Sequence, residues 1–197
     1  MIKLFDRWDT SQIKVLDEGL KRYINLTPIV VPKTGGEHAK KQFHKSKYHI
    51  VERLLNKLMI PGQKGKKHKR NSGHCTGKGT AKLQMIEETF EIIEEKTKKN
   101  PIEVFVRSLE NAAPREEITT IEYGGARYPK AVECAPQRRI DIALRMMIQG
   151  SYAKAFKSKI SMTKALADEI IKAYNLDQTS NAISKKLELE RQADASR

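Results

Sequence analysis

The segment from Pro61 to Lys82 contains no run of apolar residues, and this feature constrains the fold more than any other in the sequence. Glycine and lysine dominate it, so it lacks the periodic apolar side chains that a core helix or strand needs. We therefore predict a flexible, strongly cationic loop here. The packed elements of the protein must lie before and after it.

The positive charge of the chain is concentrated around this loop. Residues 33–82 carry fourteen Lys or Arg and only two acids, Glu37 and Glu52, which gives a local charge of +12 out of +14 for all 197 residues. All five histidines lie in the same window. A localised cationic surface has a dense polyanion as its natural counterpart, so nucleic acid is the expected partner.

The sequence argues against a membrane protein. No apolar run approaches the ~18 residues of a spanning helix, and residues 1–6 lack the apolar stretch of a signal peptide. A membrane-surface protein would need a basic amphipathic helix or a lipidation signal, and neither is found. We expect a cytoplasmic protein without membrane contact, in which Cys75 and Cys134 are free thiols.

Apolar periodicity predicts helices on both sides of the basic loop. Residues 50–59 have helical spacing, with Ser46 as the candidate cap, and residues 83–93 form a second apolar stripe. Asn100 followed by Pro101 marks the start of a third helix. Three later helices are predicted to begin near residue 136, near residue 163 and at residue 180, the last extending to residue 197.

A β-hairpin is predicted over residues 117–134, because two β-branched and aromatic runs flank Gly124-Gly125. A two-stranded ribbon is marginal alone in water, so its base should pack on the body or its tip should be held by a partner. The predicted fold is mainly α, a bundle of about six helices with the hairpin protruding between the third and fourth. This helical domain, residues 46–197, follows a basic N-terminal arm, residues 1–45.

Two aromatic residues in the arm have two possible roles. Trp8 and Tyr23 can stack on nucleic-acid bases or anchor the arm to the helical body. The sequence leaves both roles open.

The order of these signals resembles the small-subunit ribosomal protein S-seven family, in the branch typical of archaea and eukaryotes. The resemblance covers nearly the whole chain, although the basic loop is longer than the family's minimal connector. The motifs that carry it are Asn100-Pro101-Ile102-Glu103-Val104-Phe105, Pro114-Arg115-Glu116-Glu117, Gly124-Gly125-Ala126, Pro136-Gln137-Arg138-Arg139-Ile140 and Ala143-Leu144-Arg145.

The resemblance implies a structural, non-enzymatic constituent of the small ribosomal subunit. Such a protein binds the 3′ major domain of small-subunit rRNA, helps nucleate assembly of the subunit head, and contacts neighbouring small-subunit proteins. The resemblance also implies that the hairpin tip lies near the exit-site tRNA and the mRNA path. The tip residues are Gly124, Gly125, Ala126 and Arg127. No cofactor and no small-molecule substrate is implied.

Lysine and arginine side chains are the predicted RNA contacts, lysines as point charges on phosphates and arginines as bidentate donors. Few aromatic residues lie in the basic segment, so recognition of folded RNA by shape is favoured over single-strand stacking. The predicted rRNA-binding residues are Lys40, Lys41, Lys45, Lys47, Arg53, Lys57, Lys64, Lys66, Lys67, Lys69, Arg70, Lys78, Lys82, Arg115, Arg138 and Arg139.

Catalytic and metal chemistry fit the sequence less well. The run from Gly73 to Thr80 has three residues between its glycines, whereas a phosphate-binding loop of the nucleotide hydrolases needs four. His68, His74 and Cys75 are potential zinc ligands, but a closed structural site needs four ligands and no Cys-x-x-Cys pair exists. No metal site is therefore predicted.

The alternative function is that of a DNA-binding architectural or regulatory protein. In that case the hairpin and the helix after it would enter a DNA groove. Such modules are usually symmetric dimers, and nothing in the sequence marks a dimer seam.

The basic loop provides a first test of RNA binding. Replacing its central cations together by alanine should weaken RNA binding, because phosphate contacts are lost, and should leave thermal stability nearly unchanged, because the loop adds nothing to the core. Titration with RNA and thermal melting check both effects, and an unchanged affinity would show that the loop is not a contact surface. The substituted residues are Lys64, Lys66, Lys67, Lys69 and Arg70.

Overall fold

The computed structural model of the protein describes residues 2–60, 62–64 and 78–197, without the side chains of residues 38 and 39. In these ranges the helices are α1 (Glu18–Lys21), α2 (Ile50–Leu58), α3 (Gly79–Thr97), α4 (Pro101–Ala112), α5 (Pro136–Ala155), α6 (Met162–Tyr174) and α7 (Asn181–Asp194). The strands are β1 (Glu116–Tyr123) and β2 (Ala126–Glu133), and two single-turn 3-10 helices cover Glu37–Lys40 and His44–Lys47.

The predicted fold class is confirmed. The protein is mainly α, and its two strands form an antiparallel hairpin between α4 and α5. Since α1 is only four residues long, the hairpin lies between the third and fourth of the six longer helices in the part of the chain that is described.

The apolar stripes of the helices meet in one core. Ile86, Phe90 and Ile93 of α3 are fully buried, and so is Phe105 of α4. The rings of Phe90 and Phe105 lie 5.9 Å apart between centroids. Helices α4 and α5 both pack on α6, which places α6 at the centre of the bundle. Burial of these stripes supplies the main stabilisation of the fold.

Helix starts follow the local sequence at most positions. The Asn100 side chain accepts a hydrogen bond of 3.0 Å from the backbone N–H of Ile102, with Pro101 at the first helical position. Ser161 caps α6 in the same manner. The predicted cap of α2 was wrong. His49 and not Ser46 caps this helix, through Nδ1 accepting from the N–H of Val51 at 3.3 Å.

The cap of α2 makes stability depend on pH. His49 is 3% exposed, and burial lowers the pKa of its imidazole from 6.5 to about 4. Between these two values the unfolded chain binds the proton more strongly than the folded chain, so stability should fall as the pH falls from about 6.5 to about 4. His49→Asn keeps a capping side chain without a titrating group.

Urea unfolding at several pH values measures this effect. The wild-type protein should lose stability across the stated window, and the His49→Asn variant should lose less. Equal pH dependence in the two proteins would contradict the role of His49.

The arm is anchored on the helical body. Trp8 is 4% exposed, its ring meets Phe90 edge-on at 5.8 Å, and its Nε1 donates to Glu94 at 2.9 Å. Leu4 and Leu20 of the arm are fully buried in the same core. Of the two roles open for Trp8, the structure supports anchoring, because a buried ring offers no face to a base.

A buried carboxylate ties α7 to the bundle. Glu169 of α6 is fully buried and accepts hydrogen bonds from Ser180 Oγ at 2.8 Å and from the N–H of Ala182 at 3.3 Å. Lys154 of α5 donates to the same carboxylate at 2.5 Å. Gly150 allows this approach, since a Cβ there would lie 2.7 Å from the Cβ of Asn181. Helix α7 therefore docks on the body of the protein itself.

Candidate nucleic-acid interface

Cations from three elements surround one carboxylate. Asp141 of α5 pairs with Lys45 from the second 3-10 helix, and it accepts from an Arg53 guanidinium nitrogen at 3.2 Å. Lys57 of α2 and Arg145 of α5 complete the group, because the charges of Asp141 and Arg145 both shift the pKa of Lys57. We call these five residues the Asp141 cluster. The cluster contains four cations and one carboxylate, so it is strongly positive.

The pKa values reflect this crowding. Burial alone would raise the pKa of Asp141, but the hydrogen bond from Lys45 and the charges of Arg53 and Lys57 outweigh it and lower that pKa. Burial lowers the pKa of Lys57, Asp141 opposes this, and the neighbouring cations lower it further. An additional anion at this surface would relieve the repulsion among the cations.

The members of the cluster differ in exposure. Arg145 is exposed and Lys45 and Lys57 are half-buried, so all three can be reached from solvent. The Arg53 side chain is only 4% exposed, and it also donates to the Tyr23 carbonyl at 3.1 Å. Arg53, predicted as an RNA contact, therefore joins α2 to α5 and to the arm and does not present its charge to a partner.

Other predicted contacts lie outside the Asp141 cluster. Lys40, Lys41 and Lys47 are exposed on or next to the two 3-10 helices. Lys64 is exposed and donates to Asn181 at 2.9 Å, and Lys78 directly precedes α3. Helix α3 begins at Gly79, so the loop predicted to extend to Lys82 ends earlier, and Lys82 lies in the first turn of the helix. The remaining predicted contacts of the loop lie outside the described residues. They are Lys66, Lys67, Lys69 and Arg70, with the potential metal ligands His68, His74 and Cys75.

Arginines at the base of the hairpin are already engaged. Arg138 makes a bidentate pair with Glu117 at 2.5 and 2.6 Å, and its side chain is half-exposed. Arg139 is mostly buried and donates to Asp17 at 2.7 Å and to the Pro114 carbonyl at 3.0 Å. Arg138 can therefore reach a partner, whereas Arg139 holds the arm against α5.

Arg115 lies apart from the Asp141 cluster. It is exposed on the wall of a cavity of about 580 Å³, which Lys186, Leu16 and Leu176 also line. Burial lowers the pKa of Lys186, and the charge of Arg115 acts in the same direction. Asp17 and Glu110 also line the cavity and balance part of its positive charge.

The hairpin presents its tip to solvent. Gly124 and Gly125 have φ of +54° and +83°, the left-handed conformation that a two-residue hairpin turn requires. Tyr123 is 75% exposed and Tyr128 58%. The strand register puts both rings on one face, because Ile121 is opposite Tyr128 and two residues from Tyr123. Arg127 at the tip is also largely exposed.

The base of the hairpin is fixed to the body. Arg197 donates to both carboxylate oxygens of Glu116 at 2.5 and 2.6 Å, and the Arg115 N–H donates to Glu190 at 3.1 Å. Strand β1 also packs along α7. The tip can therefore act at a fixed position relative to the helices.

Three residues of this surface were not among the predicted RNA contacts, namely Asp141, Arg145 and Phe43. Asp141 and Arg145 are four apart on α5 and so lie on the same face, which is a signal that the sequence offered. Phe43 is 66% exposed between lysines, and its flanking charges were the corresponding signal.

The described residues contain no group of three or more metal-ligating side chains, and none of their helices is long and apolar enough to span a membrane. Cys134 is an unpaired, buried thiol. Burial, with the charge of Glu117, raises the pKa of this thiol to about 11. Such a thiol stays protonated at neutral pH and is a poor nucleophile.

Comparison with known proteins identifies the family of the chain. A sequence model of the family described as Ribosomal protein S7p/S5e matches residues 20–197. The chain is 55% identical over 196 residues to the small ribosomal subunit protein uS7 of Nanoarchaeum equitans, which covers 100% of this chain and 99% of that protein. It is 48% identical over 191 residues to uS7 of Methanosphaera stadtmanae, covering 97% and 96%. For uS7 of Methanothrix thermoacetophila the identity is 46% over 196 residues, with full coverage of both chains.

Proposed function

The chain belongs to the ribosomal protein S7p/S5e family, and from this premise we propose that it binds the 3′ major domain of small-subunit rRNA and helps nucleate assembly of the subunit head. Its role in the small ribosomal subunit is structural and not enzymatic. It works in the cytoplasmic ribosome, where rRNA and neighbouring ribosomal proteins are its partners.

The Asp141 cluster carries the proposal of rRNA binding. Its cations converge from α2, α5 and the second 3-10 helix, and one carboxylate cannot neutralise them. The phosphates of a folded RNA are closely spaced along its backbone, and they would supply the negative charge that the cluster lacks. Asp141 holds Lys45 and Arg53 by ion pairs before binding, so this part of the cluster needs little ordering when the RNA arrives.

Further contacts extend this surface. The exposed lysines would act as point charges that position the RNA without reading its sequence. Arg138 would exchange its pairing with Glu117 for a bidentate pairing with a phosphate. The proposed contacts are Lys40, Lys41, Lys45, Lys47, Lys57, Lys64, Lys78, Lys82, Arg115, Arg138 and Arg145, with Lys66, Lys67, Lys69 and Arg70 from the loop.

The hairpin is proposed to lie near the exit-site tRNA and the mRNA path. Its anchored base supports this role, because a ribbon fixed at one end holds its tip at a constant distance from the body. At the tip, Gly124 and Gly125 allow close approach of a nucleic-acid backbone, and Arg127 offers a positive charge.

A binding titration tests the proposal. The purified chain is titrated with a 3′ major-domain rRNA fragment, a scrambled RNA and duplex DNA over a series of salt concentrations. We expect tight binding to the rRNA fragment with a preference that persists as salt rises. If the three nucleic acids bind with equal affinity and all lose affinity in parallel as salt rises, the protein only neutralises phosphates, and the proposed recognition of rRNA is overturned.

A further inference from the structure

Phe43 is an exposed aromatic residue with no packing role. Its side chain is 66% exposed, whereas Phe90 and Phe105 are fully buried. Among the described residues it makes no aromatic ring contact and does not belong to the core cluster. Leaving such a large apolar surface in water gives the isolated protein no stability.

The backbone holds the Phe43 ring outward. Its φ is +60°, a left-handed conformation that is unfavourable for a bulky residue. Its carbonyl accepts hydrogen bonds from Ser46 N and Oγ at 3.2 and 2.9 Å, and from Gln137 Nε2 at 3.1 Å. Gln137 is itself buried in α5. Strained conformations persist where the surroundings fix them, and they concentrate at functional positions.

Exposed cations lie close to Phe43 in the sequence, on the same short segment. Lys40, Lys41 and Lys47 are exposed, and Lys45 pairs with Asp141 in the Asp141 cluster. An aromatic face among cations that bind phosphates is the combination that holds an unpaired nucleotide, since the base stacks while its phosphates are neutralised.

We propose that Phe43 is a stacking platform for one unpaired base of the bound RNA, with Lys40, Lys41 and Lys47 on the flanking phosphates. This inference deepens the proposed rRNA binding and rests on it. It adds a local contact with a single-stranded nucleotide to a surface that otherwise contacts phosphates and recognises the shape of the RNA. A base in a continuous duplex could not use it, because both of its faces are already stacked.

Affinity for the 3′ major-domain fragment tests the chemistry of the side chain. Phe43→Tyr keeps an aromatic face and should bind within about threefold of the wild type, whereas Phe43→Leu keeps only apolar bulk and should bind roughly tenfold more weakly. Equal binding by the leucine and tyrosine variants would overturn stacking. It would leave a plain apolar contact in its place.

Thermal melting distinguishes a role of Phe43 in RNA binding from a role in folding. Phe43→Gly removes both the ring and the backbone strain, so it should raise the melting temperature while weakening RNA binding. Lys98 is the control for backbone strain, being exposed at the end of α3 with φ of +54° and outside the proposed surface. Lys98→Gly should raise the melting temperature without weakening RNA binding. A lower melting temperature for Phe43→Gly would assign Phe43 to the fold and overturn the proposal.

Fluorescence provides a test that does not depend on rRNA specificity. The chain has a single tryptophan, Trp8, which is buried, so Phe43→Trp adds one exposed reporter. Oligoadenylate should quench this reporter by stacking, and inorganic polyphosphate, which has charge but no bases, should not. An equal response to both would overturn the proposal. If the rRNA titration shows no preference but quenching by oligoadenylate remains, the proposed function fails and the stacking site stands.

Discussion

Replacing Glu169 by alanine is expected to lower the free energy of unfolding by about 3 kcal/mol, since three donors lose their shared acceptor. Ser180 Oγ and the N–H of Ala182 are buried and would remain unsatisfied. Lys154 is about one-third exposed, so its ammonium can turn to water. Breaking its ion pair with Glu169 therefore contributes less to the loss of stability. The substitution also leaves a cavity where α5, α6 and α7 meet.

The loss should be largest at α7, because two of the three donors lie at its start. Helix α7 also holds β1, so its loosening should reach the hairpin. Compared with the wild type, the Glu169→Ala variant should show a larger increase in the rate of hydrogen exchange in α7 and β1 than in α4. Urea unfolding measures the overall loss of stability.

The neighbouring Asp168 gives a matched control. Its salt bridge to Lys96 is 2.5 Å long, but both side chains are about half exposed. Asp168→Ala should therefore cost less than about 1 kcal/mol, since exposed ion pairs contribute little. Comparable losses at Asp168 and Glu169 would contradict the role assigned to the buried carboxylate.

The fold was predictable wherever it depends on neighbours in sequence. Asn100 and Pro101 define a helix start by their own geometry, and Gly124-Gly125 defines a hairpin turn. The cap of α2 was not predictable, because Ser46 lies inside the 3-10 helix His44–Lys47 and the position of the chain after it depends on distant contacts. The backbone N–H of Ile50 bonds to the Asn25 carbonyl across the arm, which leaves His49 at the cap position.

The end of the chain shows the same limit. Ile183 is buried, but Leu187, four residues later at the same helical spacing, is 38% exposed. Helix α7 depends instead on Glu169, which is eleven or more residues away from the groups that it accepts from. Helical spacing puts Glu169 on the apolar stripe of α6, three residues after Leu166 and four before Ala173, but it does not show which groups would satisfy a buried carboxylate there.

The candidate site was predictable in charge and only partly in geometry. A cationic surface follows from composition, but the burial of Arg53 depends on Asp141, 88 residues further along the chain. Sequence therefore identified the cations without separating those that face solvent from those that hold the fold. The structure adds that distinction for the described residues, and it adds Arg145 and Phe43.

Replacing Lys45, Lys57 and Arg145 together by glutamine is expected to weaken binding to the 3′ major-domain fragment by about 100-fold at moderate salt, because three phosphate contacts are lost. The slope of log affinity against log salt should become shallower by roughly 2 to 3, since each contact releases close to one counterion. A salt series on the variant and the wild type measures both quantities.

The fold should tolerate this triple change. Arg53 still pairs with Asp141 after Lys45 is removed, so the buried carboxylate keeps a partner. Burial and the surrounding cations lower the pKa of Lys57, which means that its charge is unfavourable in the folded protein. Its replacement should therefore not reduce thermal stability.

A second triple variant controls for net charge. Lys98, Lys164 and Lys172 lie at the end of α3 and on α6, outside the proposed surface, and their replacement by glutamine removes the same charge. We expect affinity within about threefold of the wild type for this control, because distant charges are screened at moderate salt. Equal losses for the two triple variants would mean that RNA responds to total charge alone. The Asp141 cluster would then not be a binding site.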